Sequence, residues 1–232
     1  MLDQAFEALR TFDFGTPLSD VQAIDDAAVA AHDDAEVRRD LEQRLIAALG
    51  LDISRDAKDY VCRKLALAGS AAAVPALASL LSSEENSHLA RHALERIPGP
   101  EAADALASAA TNLSGKLQIG AIGSLGVRGD TNAVETLTSL LKERDAMVVR
   151  SAALSLGSIG GNESAQALQT AMKSSSADNN AVIDGLLSCA ESLLSQKKKT
   201  EATAIYNSLS GNEQPRLVRL AATRGLLTCA EV

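Results

Sequence analysis

Eight leucines limit what this chain of 232 residues can fold into. They come as pairs twelve positions apart, each pair bracketing a glycine-bearing break: Leu65 and Leu77, Leu94 and Leu106, Leu125 and Leu137, Leu156 and Leu168. The first members of successive pairs step by 29, 31 and 31 residues, and so do the second members. Each break separates two apolar runs, as in "KLALAGSAAAVPALASLL" and "LSLGSIGGNESAQALQTAM". A step near 30 residues with two helical segments per unit marks a stacked helical repeat rather than a single globular core, because one hairpin cannot bury both its faces and must shield itself against the next.

Composition agrees. Apolar residues make up 46% of the chain but aromatics only 2%, so its interior rests on Ala and Leu, whose small or unbranched side chains let helices approach closely. The net charge of −8 opposes the phosphate attraction that dominates nucleic-acid binding and repels anionic membrane surfaces. Cys62, Cys189 and Cys229 are odd in number and far apart, each within an apolar helical run, so free thiols are expected and not a disulfide framework. No apolar run is long enough to cross a bilayer, and "MLDQAFEALRTFDFG" lacks the sections of a secretory signal, which together give an expected cytoplasmic location.

The chain reads as three stretches of one continuous solenoid. Residues 1–52 form an N-terminal helical cap, with helices expected over 2–12, 21–31 and 36–49. Ser19 with Gln22 in "SDVQ" is expected to cap the second of these, and "DDAE" the third. Residues 53–175 hold four regular repeats of about 31 residues. Within them Leu89, Ala90, Ala93, Leu94 and Ile97 share one helix face, as do Val148, Val149, Ala152, Ala153 and Leu156. Residues 176–232 hold degenerate repeats: after a polar linker at 174–180 come helices over 182–194 and 202–209, joined by the basic turn "SQKKKT", and a segment over 216–227 like the first helix of a further unit.

The stretch "VRSAALSLGSIGGNESAQALQTAM" resembles the HEAT-repeat consensus, with an Arg-Ala-rich first helix, a glycine turn and a second helix opening on an Ala-x-x-Leu core. "LGVRGDTNAVETLTSLL" resembles it nearly as well, and "AKDYVCRKLALAGSAAAVPALASLL" is similar to bacterial HEAT-repeat proteins, including parts of larger planctomycete-type proteins. The resemblance covers residues 53–175 well and the remainder loosely. It implies an all-α fold, an α-α superhelix of stacked hairpins with an extended concave surface, and a scaffold or binding role. Related HEAT-like proteins include bilin lyases, but nothing here maps onto a lyase's catalytic residues. The third repeat departs from the consensus with Gly120 and Gly123, which are expected to let helices approach closely at a cost of about 1 kcal/mol each in helix propensity.

Few residues offer chemistry. His88 and His92 lie four apart on one helix face, a spacing that can chelate zinc, but two ligands do not make a site, and no metal or cofactor is expected. Arg63, Arg91 and Arg150 fall on the flanks of first helices, where a guanidinium suits a neighbouring repeat's backbone or acids better than a ligand. "RGD" at 128–130 aligns with the turns of adjacent units, so Asp130 is expected to cap a helix. The expected function is a non-enzymatic module that binds a protein or peptide, with second helices lining the groove and Ser79, Ser108, Thr138 and Gln169 facing it. Arg63, Arg91 and His92 complete the candidate binding residues. Two rivals stand beside it: an enzyme or accessory of the bilin-lyase or assembly-factor type, and a docking domain of a larger polypeptide. Convergence of His88, His92, Arg63 and Arg91 on one pocket would favour the first rival.

Overall fold

The computed structural model describes residues 1–173 and 179–230, and among them there are fourteen α-helices and no strand. The chain divides into two compact units, Met1–Ser124 and Leu125–Val232.

The first unit contains α1 (Leu2–Ala8), α2 (Gln22–Ala30), α3 (Ala35–Leu49), α4 (Arg55–Ala68), α5 (Val74–Ser79), α6 (Ser87–Leu94), α7 (Pro100–Asn112) and the start of α8 (Gly115–Arg128). First helices of successive hairpins pack together, α4 on α6, and second helices do likewise, α5 on α7. Leu65, Leu77, Leu94 and Leu106 are all 0% exposed at these contacts. At roughly 2 kcal/mol for each fully buried leucine, the recurrent pairs supply a large share of what holds the layers together.

Two polar ties fix the entry helices. The Tyr60 hydroxyl on α4 donates to Asp25 Oδ1 on α2 at 2.8 Å, and Lys64 pairs with the same carboxylate. On α3, the buried Glu42 accepts from Ser70 Oγ at 2.8 Å, while Ser70 caps the turn leading into α5 by accepting from Ala72 N. A carboxylate at the opening of a helix meets unpaired N–H groups there, and this explains how a charge is tolerated inside.

The second unit contains the rest of α8, α9 (Val134–Leu140), α10 (Ala146–Ile159), α11 (Gly161–Met172), α12 (Asn179–Ser195), α13 (Lys199–Leu209) and α14 (Arg216–Ala230). Here α10 packs on α12, α9 on α11, and α13 on α14. Leu125, Leu137, Leu156 and Leu168 are again 0% exposed. Gly157 and Gly185 let α10 and α12 touch through their backbones: a Cβ on Gly157 would lie 2.7 Å from Gly185 Cα.

Local signals held in part. Asp34 caps α3 by accepting from Glu36 N and Val37 N, and Asp130 accepts from Asn132 N at 3.0 Å, so the "RGD" aspartate is a cap. The capping box expected at Ser19 does not form. Pro17 leads instead into a 3₁₀ turn over Leu18–Asp20, Ser19 Oγ donates to Asp20 Oδ1, and Val21 stands at the N-cap of α2. Helix α1 ends at Ala8 and continues as a 3₁₀ turn over Leu9–Thr11. Of the linker expected at 174–180, residues 174–178 lie outside the described residues, and Asn179 and Asn180 already belong to α12. The basic turn is present, with Lys197 at φ 63°.

Candidate functional site

Two recesses, one in each unit, gather residues that the sequence singled out or that could bind a ligand. In the first unit the packing of α4 beside α6 sets Arg55, Asp59 and Arg63, spaced by one helical turn each, against His88, His92 and Glu95. The recess has a volume of about 520 Å³. Its charges are mutually engaged: Arg63 Nη2 pairs with Asp59 Oδ2 at 2.7 Å, and Glu95 Oε1 accepts from Ser124 Oγ at 2.7 Å.

The two histidines are held by different arginines. Arg55 Nη2 lies 3.0 Å from His88 Nε2, and Arg96 Nη1 lies 3.2 Å from His92 Nδ1. A guanidinium has only donors, so each imidazole accepts at that nitrogen and carries its proton on the other. A neutral imidazole has one acceptor nitrogen, and in both rings it is turned to an arginine. The arrangement therefore does not present two lone pairs to one ion. Among the described residues no three His, Cys, Asp or Glu side chains are grouped to hold a metal.

Arg91 parts from the other three residues of the expected cluster. Its guanidinium leaves the recess, and Nη1 donates to Gly120 O at 3.1 Å and Ser124 Oγ at 3.4 Å on α8. Burial pulls its pKa down, and the charge of Glu95 partly restores it. A Cβ on Gly120 would stand 2.7 Å from Arg91 Cζ, so Gly120 makes room for this guanidinium. Gly123 has no such neighbour within 4 Å, contrary to the expectation that both glycines serve close approach. Thus Arg63, His88 and His92 share a recess, and Arg91 joins helices.

In the second unit the second helices α9 and α11 leave an open slot of about 700 Å³ between them. Thr138, Lys142, Glu163, Gln166 and Thr170 line it, over an apolar floor that includes Leu141 and Ala171. The hydroxyls of Thr138 and Thr170 donate back to Val134 O at 2.7 Å and Gln166 O at 2.8 Å, leaving their lone pairs as acceptors. Gln169 does not line this slot. In the first unit, Ser79 Oγ donates to Ala76 O at 2.7 Å, and Ser108 Oγ accepts from Asn112 Nδ2 at 3.2 Å; both serines are exposed. Sequence reasoning missed Arg55 and Asp59 in the first recess and Lys142, Glu163, Gln166 and Thr170 in the second. One signal was available for Thr170: it stands two places after the inward Leu168, as Ser108 does after Leu106.

The family model for HEAT repeats matches residues 103–186. No curated protein matches the chain. Among solved structures, the HEAT-like repeats protein of the archaeon Thermococcus onnurineus NA1 aligns over 99% of this chain and 97% of its own, with 15% identity and a TM-score of 0.52. An engineered protein aligns over 97% of this chain and 68% of its own at 21% identity and a TM-score of 0.44. Human deoxyhypusine hydroxylase aligns over 100% and 96% at 14% identity and a TM-score of 0.38. Of these three, the archaeal match is close enough in geometry to speak for the fold. The chain has the HEAT-like repeat fold, and its residues 103–186 match the HEAT-repeat family model.

Proposed function

We propose that the protein is a non-enzymatic interaction module that binds a peptide segment of a partner protein in the slot between α9 and α11. The observation that carries this reading is the slot itself: it lies open between two second helices, with an apolar floor and an edge of acceptors and donors from Thr138, Gln166 and Thr170. Lys142 and Glu163 put both signs of charge at its rim, and this suits a polypeptide better than a strongly charged small molecule. The test is selection of a displayed random-peptide library on the immobilised protein, followed by fluorescence anisotropy with the enriched peptides. Enrichment of related peptides whose binding is lost in Gln166→Arg and Thr170→Arg is the expected result. No enrichment, or enriched peptides indifferent to both substitutions, would overturn the reading.

The enzymatic rival has its own observation, the convergence of Arg63, His88 and His92 on the recess between α4 and α6. It is the weaker reading, because the guanidiniums and imidazoles there already satisfy one another or a carboxylate.

A further inference from the structure

The outer face of α14 is apolar, basic and uncovered. Leu217 is 79% exposed, Leu220 56% and Leu227 59%, and the exposed Ala221, Arg224 and Thr228 stand beside them at the edge of a recess shared with Glu191 and Tyr206. Large apolar side chains spaced at helical intervals and left open to water mark an interaction surface rather than ordinary surface wear. The repeat pattern says the same from within the chain. Aligning "LVRLAATR" (217–224) with "VVRSAALS" (148–155) sets Leu217 on Val148 and Ala221 on Ala152, and in α10 those two are 2% and 0% exposed. Positions that an internal first helix buries are thus displayed on α14.

Charge says what covers them. Between Arg216 and Ala230 there are three arginines and no acid. At the other end of the sequence, residues 1–34 hold eight Asp and Glu against Arg10 alone, a net of −7 out of the chain's −8. Part of that acid frames an exposed apolar stripe on α2: Asp26, Val29 and Ala30 lie one turn apart on its open side, with Asp33 in the turn that follows, and Val29 is 75% exposed. We propose that the α14 face of one copy docks on the α2 face of a second copy, so that Leu220 and Leu227 cover Val29 and Ala30 while Arg216 and Arg224 meet Asp26 and Asp33. The contact joins two different surfaces, so every copy offers both halves of it. A single helix-on-helix contact is small, which makes the association weak and dependent on concentration, and its ionic rim makes it sensitive to salt.

The test uses the full chain in sedimentation velocity, with two charge-reversed variants. One carries Asp26→Arg and Asp33→Arg, the other Arg216→Glu and Arg224→Glu; all four side chains are exposed, and unchanged far-ultraviolet circular dichroism checks the fold. The expected result is that the wild type grows beyond the 24.1 kDa monomer as concentration rises in low salt and returns to it in high salt. Each variant alone stays monomeric, since both its faces then carry one sign. Their equimolar mixture associates again, because each face meets its opposite on the other variant. A wild type that is monomeric at every concentration, variants that associate by themselves, or a mixture that stays monomeric would each overturn the proposal. Should a variant lose helicity, Leu220→Gln with the wild-type salt series decides the same question.

Discussion

Arg91 Nη1 donates to the carbonyl of Gly120 at 3.1 Å, so the first helix of one hairpin is pinned to the first helix of the next through the position that has no side chain. A Cβ there would stand 2.7 Å from Arg91 Cζ and 2.9 Å from its Nε. Two effects then compete in Gly120→Ala. Alanine gains about 1 kcal/mol in helix propensity, while the displaced guanidinium gives up a hydrogen bond of a charged, half-buried group, about 1.5–3 kcal/mol. The second effect wins, and the substitution is expected to lower stability by about 1 kcal/mol. In an Arg91→Ala background only the propensity remains, and the same substitution becomes stabilising. Urea unfolding of the four proteins of this cycle checks the change of sign; a Gly120→Ala effect that is the same in both backgrounds would refute the pinning.

Where the obstacle is backbone, no side chain can swing aside. A Cβ on Gly157 would meet Gly185 Cα at 2.7 Å, so Gly157→Ala must push α10 away from α12 and is expected to cost about 1–3 kcal/mol. Gly123 is the control. Nothing lies within 4 Å of its Cβ position, and Gly123→Ala is expected to raise stability by up to about 1 kcal/mol. Thermal or urea unfolding of the two variants should move in opposite directions.

The phase of the repeat was readable because water enforces it: each of the eight spaced leucines must reach the seam, and each is 0% exposed. Caps were readable where the side chain bonds its own helix, as Asp34 and Asp130 do. At Ser19 the same rule failed because Pro17 turns the chain into a 3₁₀ turn before the helix begins, moving the N-cap to Val21. The candidate site was less legible, because its members meet only through stacking. That Arg55 and Asp59 flank His88 follows from how α4 lies against α6, and a one-dimensional pattern specifies that contact only as a repeat distance. Likewise, the role of Arg91 is settled by a carbonyl on another helix, which no side-chain pattern announces.

Ser164 is an inconsistency in the repeat that can be corrected. It stands four places before the inward Leu168, where the other repeats have Ala73, Ala102 and Ala133 before Leu77, Leu106 and Leu137. The alanines are 0–3% exposed and Ser164 is 0% exposed, but its hydroxyl has no hydrogen-bond partner. Removing a buried polar group that forms no bond recovers its desolvation cost, so Ser164→Ala is expected to stabilise by about 1 kcal/mol. A denaturant midpoint at or below that of the wild type would show that the hydroxyl is satisfied after all.

Buried ionisable groups make the fold sensitive to alkali. Burial pushes the Cys62 thiol up to about 12, with the charge of Asp59 adding to it, and burial alone pushes Cys189 up to about 12. Tyr60 is held above its ordinary range by burial and by its bond to Asp25. In the unfolded chain a thiol loses its proton near pH 8.5, so between about pH 8.5 and 12 the unfolded state binds fewer protons than the folded one, and stability falls as pH rises. Urea midpoints should therefore decline across that window, and less steeply in a variant with Cys62→Ala and Cys189→Ala. The same burial protects the thiols in the native state, whereas Cys229 is only partly covered. Titration with a disulfide reagent at neutral pH should find one fast thiol, lost in Cys229→Ser, and two that react only when the chain unfolds; two or more fast thiols in the folded wild type would contradict the burial of α4 and α12 on which the alkaline prediction depends.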